Sequence, residues 1–212
     1  PQFACGLLAD CIGGYSVEGA EKAARGIDGG EFFLLRKRST ERKRGALRSF
    51  VRAALSGNYD EYAVKTGDVS GFKYAITLDS DTFTRDAERL VAVMEHPYNA
   101  RYAVMSLDMR VAVSSLSSPF ARLTAERGDV SHYGSGDAHY ALHGCSIYCG
   151  KGIFRLREFA EAAADAFPDG KILSHDLLEG GLAGCRDSGV TALENAPHTS
   201  EAYYSRAERW LR

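Results

Sequence analysis

Short runs of apolar and β-branched residues alternate along the chain with stretches whose apolar positions recur at helical spacing. Residues 3–9 read as a short buried strand ending at Asp10, 18–27 as a helix and 31–35 as a strand. Over 42–55, Ala46, Leu47, Phe50, Val51, Ala54 and Leu55 mark one helical face. The Gly-, Asn-, Asp- and Ser-rich stretch 56–71 reads as loop, 72–78 as a strand, and 86–96 as a helix stopped by Pro97. A strand is expected over 102–113, and the pattern over 114–140 does not choose an element. A short strand over 146–148 is expected before Gly150, Lys151 and Gly152. Helices over 157–166, 177–188 and 200–212 and a strand over 190–193 complete the series. Such alternation predicts an α/β chain, Rossmann-like, with a mixed, mostly parallel sheet flanked by helices.

With 212 residues, one domain over 1–212 is expected, with ample chain for a core. A net charge of −2 argues against general nucleic-acid binding. The basic residues are uneven, however. Arg36, Lys37, Arg38, Arg42, Lys43 and Arg44 crowd together, as a solvated helix face or as a surface for phosphates. The five cysteines lack Cys-x-x-Cys spacing and read as reduced thiols. His143, Cys145 and Cys149 offer a zinc cluster only without a fourth ligand at a usual spacing. There is no signal peptide or long apolar run. The chain starts at Pro1 and stops after Trp210-Leu211-Arg212, so a fragment of a larger protein is expected.

The richest stretch is Tyr74-Ala-Ile-Thr-Leu-Asp79-Ser-Asp81-Thr82, where a strand-like run ends in two carboxylates. Residues i and i+2 on a strand share a face, so both would point to one spot beyond the strand end, where α/β sheets bind ligands. Hard oxygens there suit Mg²⁺ or Mn²⁺ and, through the ion, a diphosphate. The plainer alternative has Asp79 capping the next helix and Asp81 solvated. Three other clusters have similar alternatives. Ser174-His175-Asp176-Leu-Leu-Glu179 reads as a capping box or a catalytic group. Arg206 and Arg209 share a helix face and could hold one anion, or belong to a solvated tail with Trp210 in the core. Lys43-Arg44-Gly45 opens a helix where backbone N–H groups favour phosphate.

In order, Asp10, Lys43-Arg44-Gly45-Ala46-Leu47, Asp79-Ser-Asp81, Ser174-His175-Asp176 and Arg206-x-x-Arg209-Trp210 resemble the processive inverting glycosyltransferases of the cellulose and chitin synthase type, which have a GT-A fold. Local wording is closer to the glycosyltransferase domain of cyclic β-1,2-glucan synthases. It includes Leu7-Leu8-Ala9-Asp10, Glu41-Arg42-Lys43-Arg44-Gly45, Ile76-Thr77-Leu78-Asp79-Ser80-Asp81-Thr82, Tyr148-Cys149-Gly150-Lys151-Gly152-Ile153 and Leu173-Ser174-His175-Asp176-Leu177-Leu178-Glu179-Gly180. Two departures stand out: the family's opening strand and helix are missing at the N-terminus, and Arg38-Ser-Thr-Glu41 replaces a longer Trp-containing stretch.

The resemblance implies a role for each motif. Asp10 would contact uracil or ribose, and Lys43 would lie near the diphosphate. Asp79 and Asp81 would bind the donor, UDP-glucose, and its Mg²⁺ or Mn²⁺. Asp176 would be the general base. Arg206 and Arg209 would hold the leaving diphosphate, Trp210 would stack the acceptor, and Gly150, Lys151 and Gly152 would line the acceptor channel. The implied product is a β-glucan, β-1,2-linked in the family. The implied setting is a cytosolic loop at the bacterial inner membrane, flanked by membrane helices and further domains. Alternatives are a non-catalytic nucleotide-sugar binding module and a haloacid-dehalogenase-like phosphatase. The latter motif wants Thr or Val where this chain has Phe83.

Overall fold

A computed structural model describes residues 3–10, 19, 22, 32–37, 43–126, 136–167, 172 and 175–210, apart from the side chains of 126, 136–138, 164, 209 and 210. The chain divides into two compact units, Pro1–Lys73 with Ala164–Ile172, and Tyr74–Ala163 with Leu173–Arg212. The expected helix over 18–27 lies outside the described residues except for Gly19 and Lys22, both helical.

In the first unit, β1 (Gly6–Asp10) runs parallel to β2 (Phe32–Arg36), and β3 (Tyr62–Thr66) adds antiparallel to β2. As the central strand, β2 is buried from Phe33 to Arg36, which is why its apolar residues run on without alternation. Helix α1 (Lys43–Ser56) buries Ala46, Leu47, Val51 and Ala54, while Leu55 of the expected stripe is 43% exposed. The loop expected over 56–71 is interrupted by β3, where Tyr62, Val64 and Thr66 alternate with Ala63 and Lys65.

The second unit has strand order β4-β6-β5-β7, built from β4 (Tyr74–Thr77), β5 (Val104–Val111), β6 (Gly152–Arg155) and β7 (Cys185–Glu194). β6 is antiparallel to both neighbours, and β5 and β7 are parallel. The α/β class therefore holds, with mixed sheets. Helix α2 (Ala87–Glu95) packs on β5, β6 and β7 through Leu90 and Met94. Their core partners include Met105, Leu107, Ile153 and Val190.

Helices α3 (Pro119–Glu126) and α4 (Gly136–His143) occupy part of the stretch whose pattern chose no element. The strand expected over 146–148 is absent, and pairing starts at Gly152 instead. At Gly152 the strands approach closely, and a Cβ there would collide with the Met105 carbonyl oxygen. The helix expected over 157–166 is a short α5 (Leu156–Phe159) continued by a π-helical segment, Ala160–Ala164.

The helix expected over 177–188 is α6 (Asp176–Ala183), ended by Gly184 at φ +70°. Beyond it Cys185 enters β7, whose buried residues alternate at Cys185, Ser188, Val190, Ala192 and Glu194 after one irregularity. Helix α7 (Ser200–Trp210) closes the unit. Among the described residues, no helix is long and apolar enough to cross a membrane.

Two neighbouring glycines of α6 separate packing from propensity. A Cβ at Gly180 would lie 2.5 Å from Tyr148 Cβ, whereas one at Gly181 would meet nothing within 4 Å. Gly180→Ala should therefore destabilise by about 1–3 kcal/mol through overpacking. Gly181→Ala should stabilise by up to about 1 kcal/mol through helix propensity. Urea denaturation of both variants checks the opposite signs.

Candidate active site

β4 ends at Thr77, which pairs with Gly152, the first residue of β6. This antiparallel register brings the segment leaving β4 beside the segment entering β6, so Asp79 and Gly150–Lys151 emerge together. The two aspartates do not share a strand face, because the strand has already ended. Instead the Thr82 N–H donates to the Asp79 carbonyl at 2.9 Å and closes a turn. Phe83 then bridges to Leu193 through two 2.8 Å backbone bonds, pinning the turn beside Glu194. Asp79 does not cap α2, whose N-cap is Asp86. Its carboxylate faces Lys151 Nζ at 3.3 Å, while Asp81 is exposed.

Lys151 is buried, and an ammonium in that position needs carboxylate partners. It donates to Glu194 Oε2 at 2.8 Å, and Arg206 Nη2 donates to Glu194 Oε1 at 2.7 Å. Asp79, Lys151, Glu194 and Arg206 thus form one chain of alternating charge. Burial disfavours both the Lys151 and Glu194 charges, but their mutual hydrogen bond and attraction outweigh it. The lysine pKa is held above its ordinary 10.5 and the glutamate pKa below 4.5. Asp79 also supports the lysine charge, and Arg206 the glutamate's.

On the other side of the same loop stands Asp176, the first residue of α6. Gly150 has φ +77°, and a Cβ there would lie 2.7 Å from Asp176 Oδ2. Glycine at 150 therefore allows both the turn and the approach of the carboxylate. Below it, Thr77 Oγ1 donates to the Gly150 carbonyl at 3.2 Å and lies 3.3 Å from the buried Tyr148 hydroxyl. Burial raises the Tyr148 phenol well above its ordinary value, with the charges of Asp176 and Glu179 adding to the effect. Burial likewise raises the Cys149 thiol, against the opposing influence of Lys151.

The capping box expected at α6 does not form on the described residues: His175 is the N-cap and makes no side-chain cap bond. Ser174 lies outside them. Glu179 turns inward instead, with Oε2 2.8 Å from His175 Nδ1.

The second unit therefore brings together Asp79, Gly150, Lys151, Gly152, Asp176 and Arg206 of the expected set. Arg209 and Trp210 close α7, with side chains outside the described residues. Lys151 is an ion-pair centre more than an open channel lining. Asp10 and Lys43 belong to the first unit. There Arg36 grips Asp10 by two bonds of 2.7 and 3.0 Å, and Lys43 opens α1, exposed.

His143, Cys145 and Cys149 do not converge as ligands. Among the described residues the group that does is His175, Asp176 and Glu179. Sequence reasoning missed Glu194. Its signal was the alternation Val190, Ala192, Glu194, which puts a carboxylate at a position of core parity.

Paired as it is, Glu194 makes stability depend on pH. Its folded pKa is depressed, so its contribution is fully present above 4.5 and is lost as pH falls through the lower folded value. Glu194→Gln should flatten that acid limb in a chemical-denaturation series. The variant should also lose about 1–3 kcal/mol at neutral pH, because Lys151 keeps its charge and loses its closest carboxylate.

No protein-family model matches the chain. An alignment over 213 residues pairs 85% of it, at 30% identity, with the cyclic beta-(1,2)-glucan synthase NdvB of Rhizobium meliloti (strain 1021). The chain spans about 8% of that relative's length. By sequence, then, the chain is related to a segment of a cyclic beta-(1,2)-glucan synthase.

Proposed function

We propose that the chain is an inverting glycosyltransferase segment that moves glucose from UDP-glucose to a growing β-glucan. One observation carries the reading: consecutive residues, Gly150 and Lys151, touch Asp176 and Asp79 respectively. The carboxylate assigned as base and the Asp-x-Asp turn thus flank one short loop. Relatedness to a glucan synthase supports the same class of chemistry. A β-1,2 linkage is the corresponding choice for the product.

In this reading Asp176 takes the proton from an acceptor hydroxyl while that oxygen attacks the anomeric carbon. The C–O bond to the diphosphate breaks in the same displacement, UDP departs with the bonding pair, and the α-linked donor becomes a β-glucoside. A base placed in this way contributes typically about 10²–10⁴-fold. Arg206 and Arg209 would neutralise charge growing on the diphosphate, and Trp210 would stack the acceptor.

Asp79 and Asp81 fit a divalent cation by their chemistry, two hard oxygen donors on one tight turn, the second of them exposed. Mg²⁺ or Mn²⁺ held there would supply Lewis-acid stabilisation of the leaving diphosphate. Lys151 sits where it already offers positive charge to Asp79, and so positions that carboxylate.

Asp176→Asn keeps the shape of the side chain and removes the base. Transfer of radiolabelled glucose from UDP-glucose to a glucan oligosaccharide should fall at least about 100-fold, with UDP-glucose binding unchanged. Undiminished transfer would remove Asp176 from the role of base.

A further inference from the structure

Beneath the loop, His175, Asp176 and Glu179 stand together at the start of α6. One ligand atom from each lies within 4.8 Å of the others. The His175 and Glu179 side chains are only 4% and 2% exposed. Nδ1 of the imidazole and Oε2 of the carboxylate are 2.8 Å apart, yet neither has a hydrogen-bond partner. A buried imidazole nitrogen and a buried carboxylate oxygen left unpartnered at contact distance call for a positive centre between them, a proton or a metal ion. Asp176 Oδ1 adds a third donor, 3.4 Å from the same Nδ1, on a side chain still 27% exposed and so open to an entering ion.

The separations are of the size that a coordination shell spans. Ligand atoms about 2.1 Å from one ion lie about 3.0 Å apart in octahedral and about 3.4 Å apart in tetrahedral geometry. With 2.8 and 3.4 Å at Nδ1 and all three atoms within 4.8 Å of one another, one ion can reach every donor. One imidazole with two carboxylates suits a borderline divalent ion such as Zn²⁺, Mn²⁺ or Fe²⁺, and disfavours Mg²⁺ and Ca²⁺, which prefer oxygen alone. The spacing is also local: His at the N-cap, Asp next to it, and Glu one turn on put all three side chains around the same helix start.

We propose that His175, Asp176 and Glu179 form a binding site for a transition-metal dication, distinct from the Asp79–Asp81 turn. A bound ion partners Nδ1 and Oε2 and fixes the Asp176 carboxylate over Gly150 by one oxygen. The site stands on its own geometry and needs no part of the transferase reading.

The test uses the metal alone and no activity. The whole chain, carrying Asp79→Asn and Asp81→Asn to silence the other acidic pair, is stripped with a chelator and titrated with Co²⁺, followed by visible absorption. About one equivalent should bind, and Glu179→Gln and His175→Ala should each weaken it by about tenfold or more. Because His175 is buried, a second measurement needs no change at the site. Pulsed EPR of the Mn²⁺-loaded protein should show coupling to an imidazole nitrogen. Failure to take up Co²⁺, equal uptake in both site variants, or absence of nitrogen coupling would overturn the site and leave His175 and Glu179 joined by a shared proton. Loss of transfer with this site intact, or the reverse, separates its fate from that of the glycosyltransferase reading.

Discussion

A lysine ammonium taken out of water must find carboxylates, and that requirement on Lys151 organises the candidate site. Nζ is held between Glu194 at 2.8 Å and Asp79 at 3.3 Å, and Glu194 in turn holds Arg206 at 2.7 Å. Three separate stretches of chain, the turn after β4, the end of β7 and helix α7, are thereby tied to one loop. The cost of removing any member is set by the charge left behind more than by the bond that is lost. Such a network positions groups well because a half-satisfied version of it is unfavourable.

That loop is in turn fixed by backbone geometry. The pairing of Thr77 with Gly152 decides where β4 ends and β6 begins, and Gly152 admits the Met105 carbonyl where no side chain would fit. Gly150 does the same for the Asp176 carboxylate. Two glycines and a lysine therefore place an acidic turn on one side of the loop and an acidic helix start on the other. In the proposed reading, the turn serves the sugar nucleotide and the helix start the acceptor hydroxyl. Relatedness to a cyclic beta-(1,2)-glucan synthase supplies the chemical class in which it makes sense.

Much of this was legible in the sequence, and the exceptions have physical causes. Strong periodicity located α1, α2 and β5 to within a few residues, and the α/β alternation held. Short elements were harder. β3 hid among turn-forming residues because its alternation spans only Tyr62–Thr66. Ser146–Tyr148 looked like a strand, yet its backbone link to β7 is the Ser146 N–H bond to the Cys185 carbonyl at 2.8 Å, and Tyr148 is buried against Gly180. The helix after Asp176 was drawn too long because Cys185 and Ser188 continue its polar and apolar mixture, while Gly184 ends it. Asp79, Asp176 and Arg206 were visible as motifs. Glu194 was not, because long-range pairing and not local spacing gives it its partner, and the inward turn of Glu179 was not, because the same local spacing also fits a capping box.

The central claim is that the Asp79–Asp81 turn is a metal-assisted nucleotide-sugar site. Calorimetric titration of the chain with UDP-glucose, with and without Mn²⁺ and again in Asp81→Asn, tests it most directly. The account predicts binding that requires Mn²⁺ and disappears in the variant. Binding of equal strength without the metal, or unchanged by the loss of the Asp81 carboxylate, would contradict it.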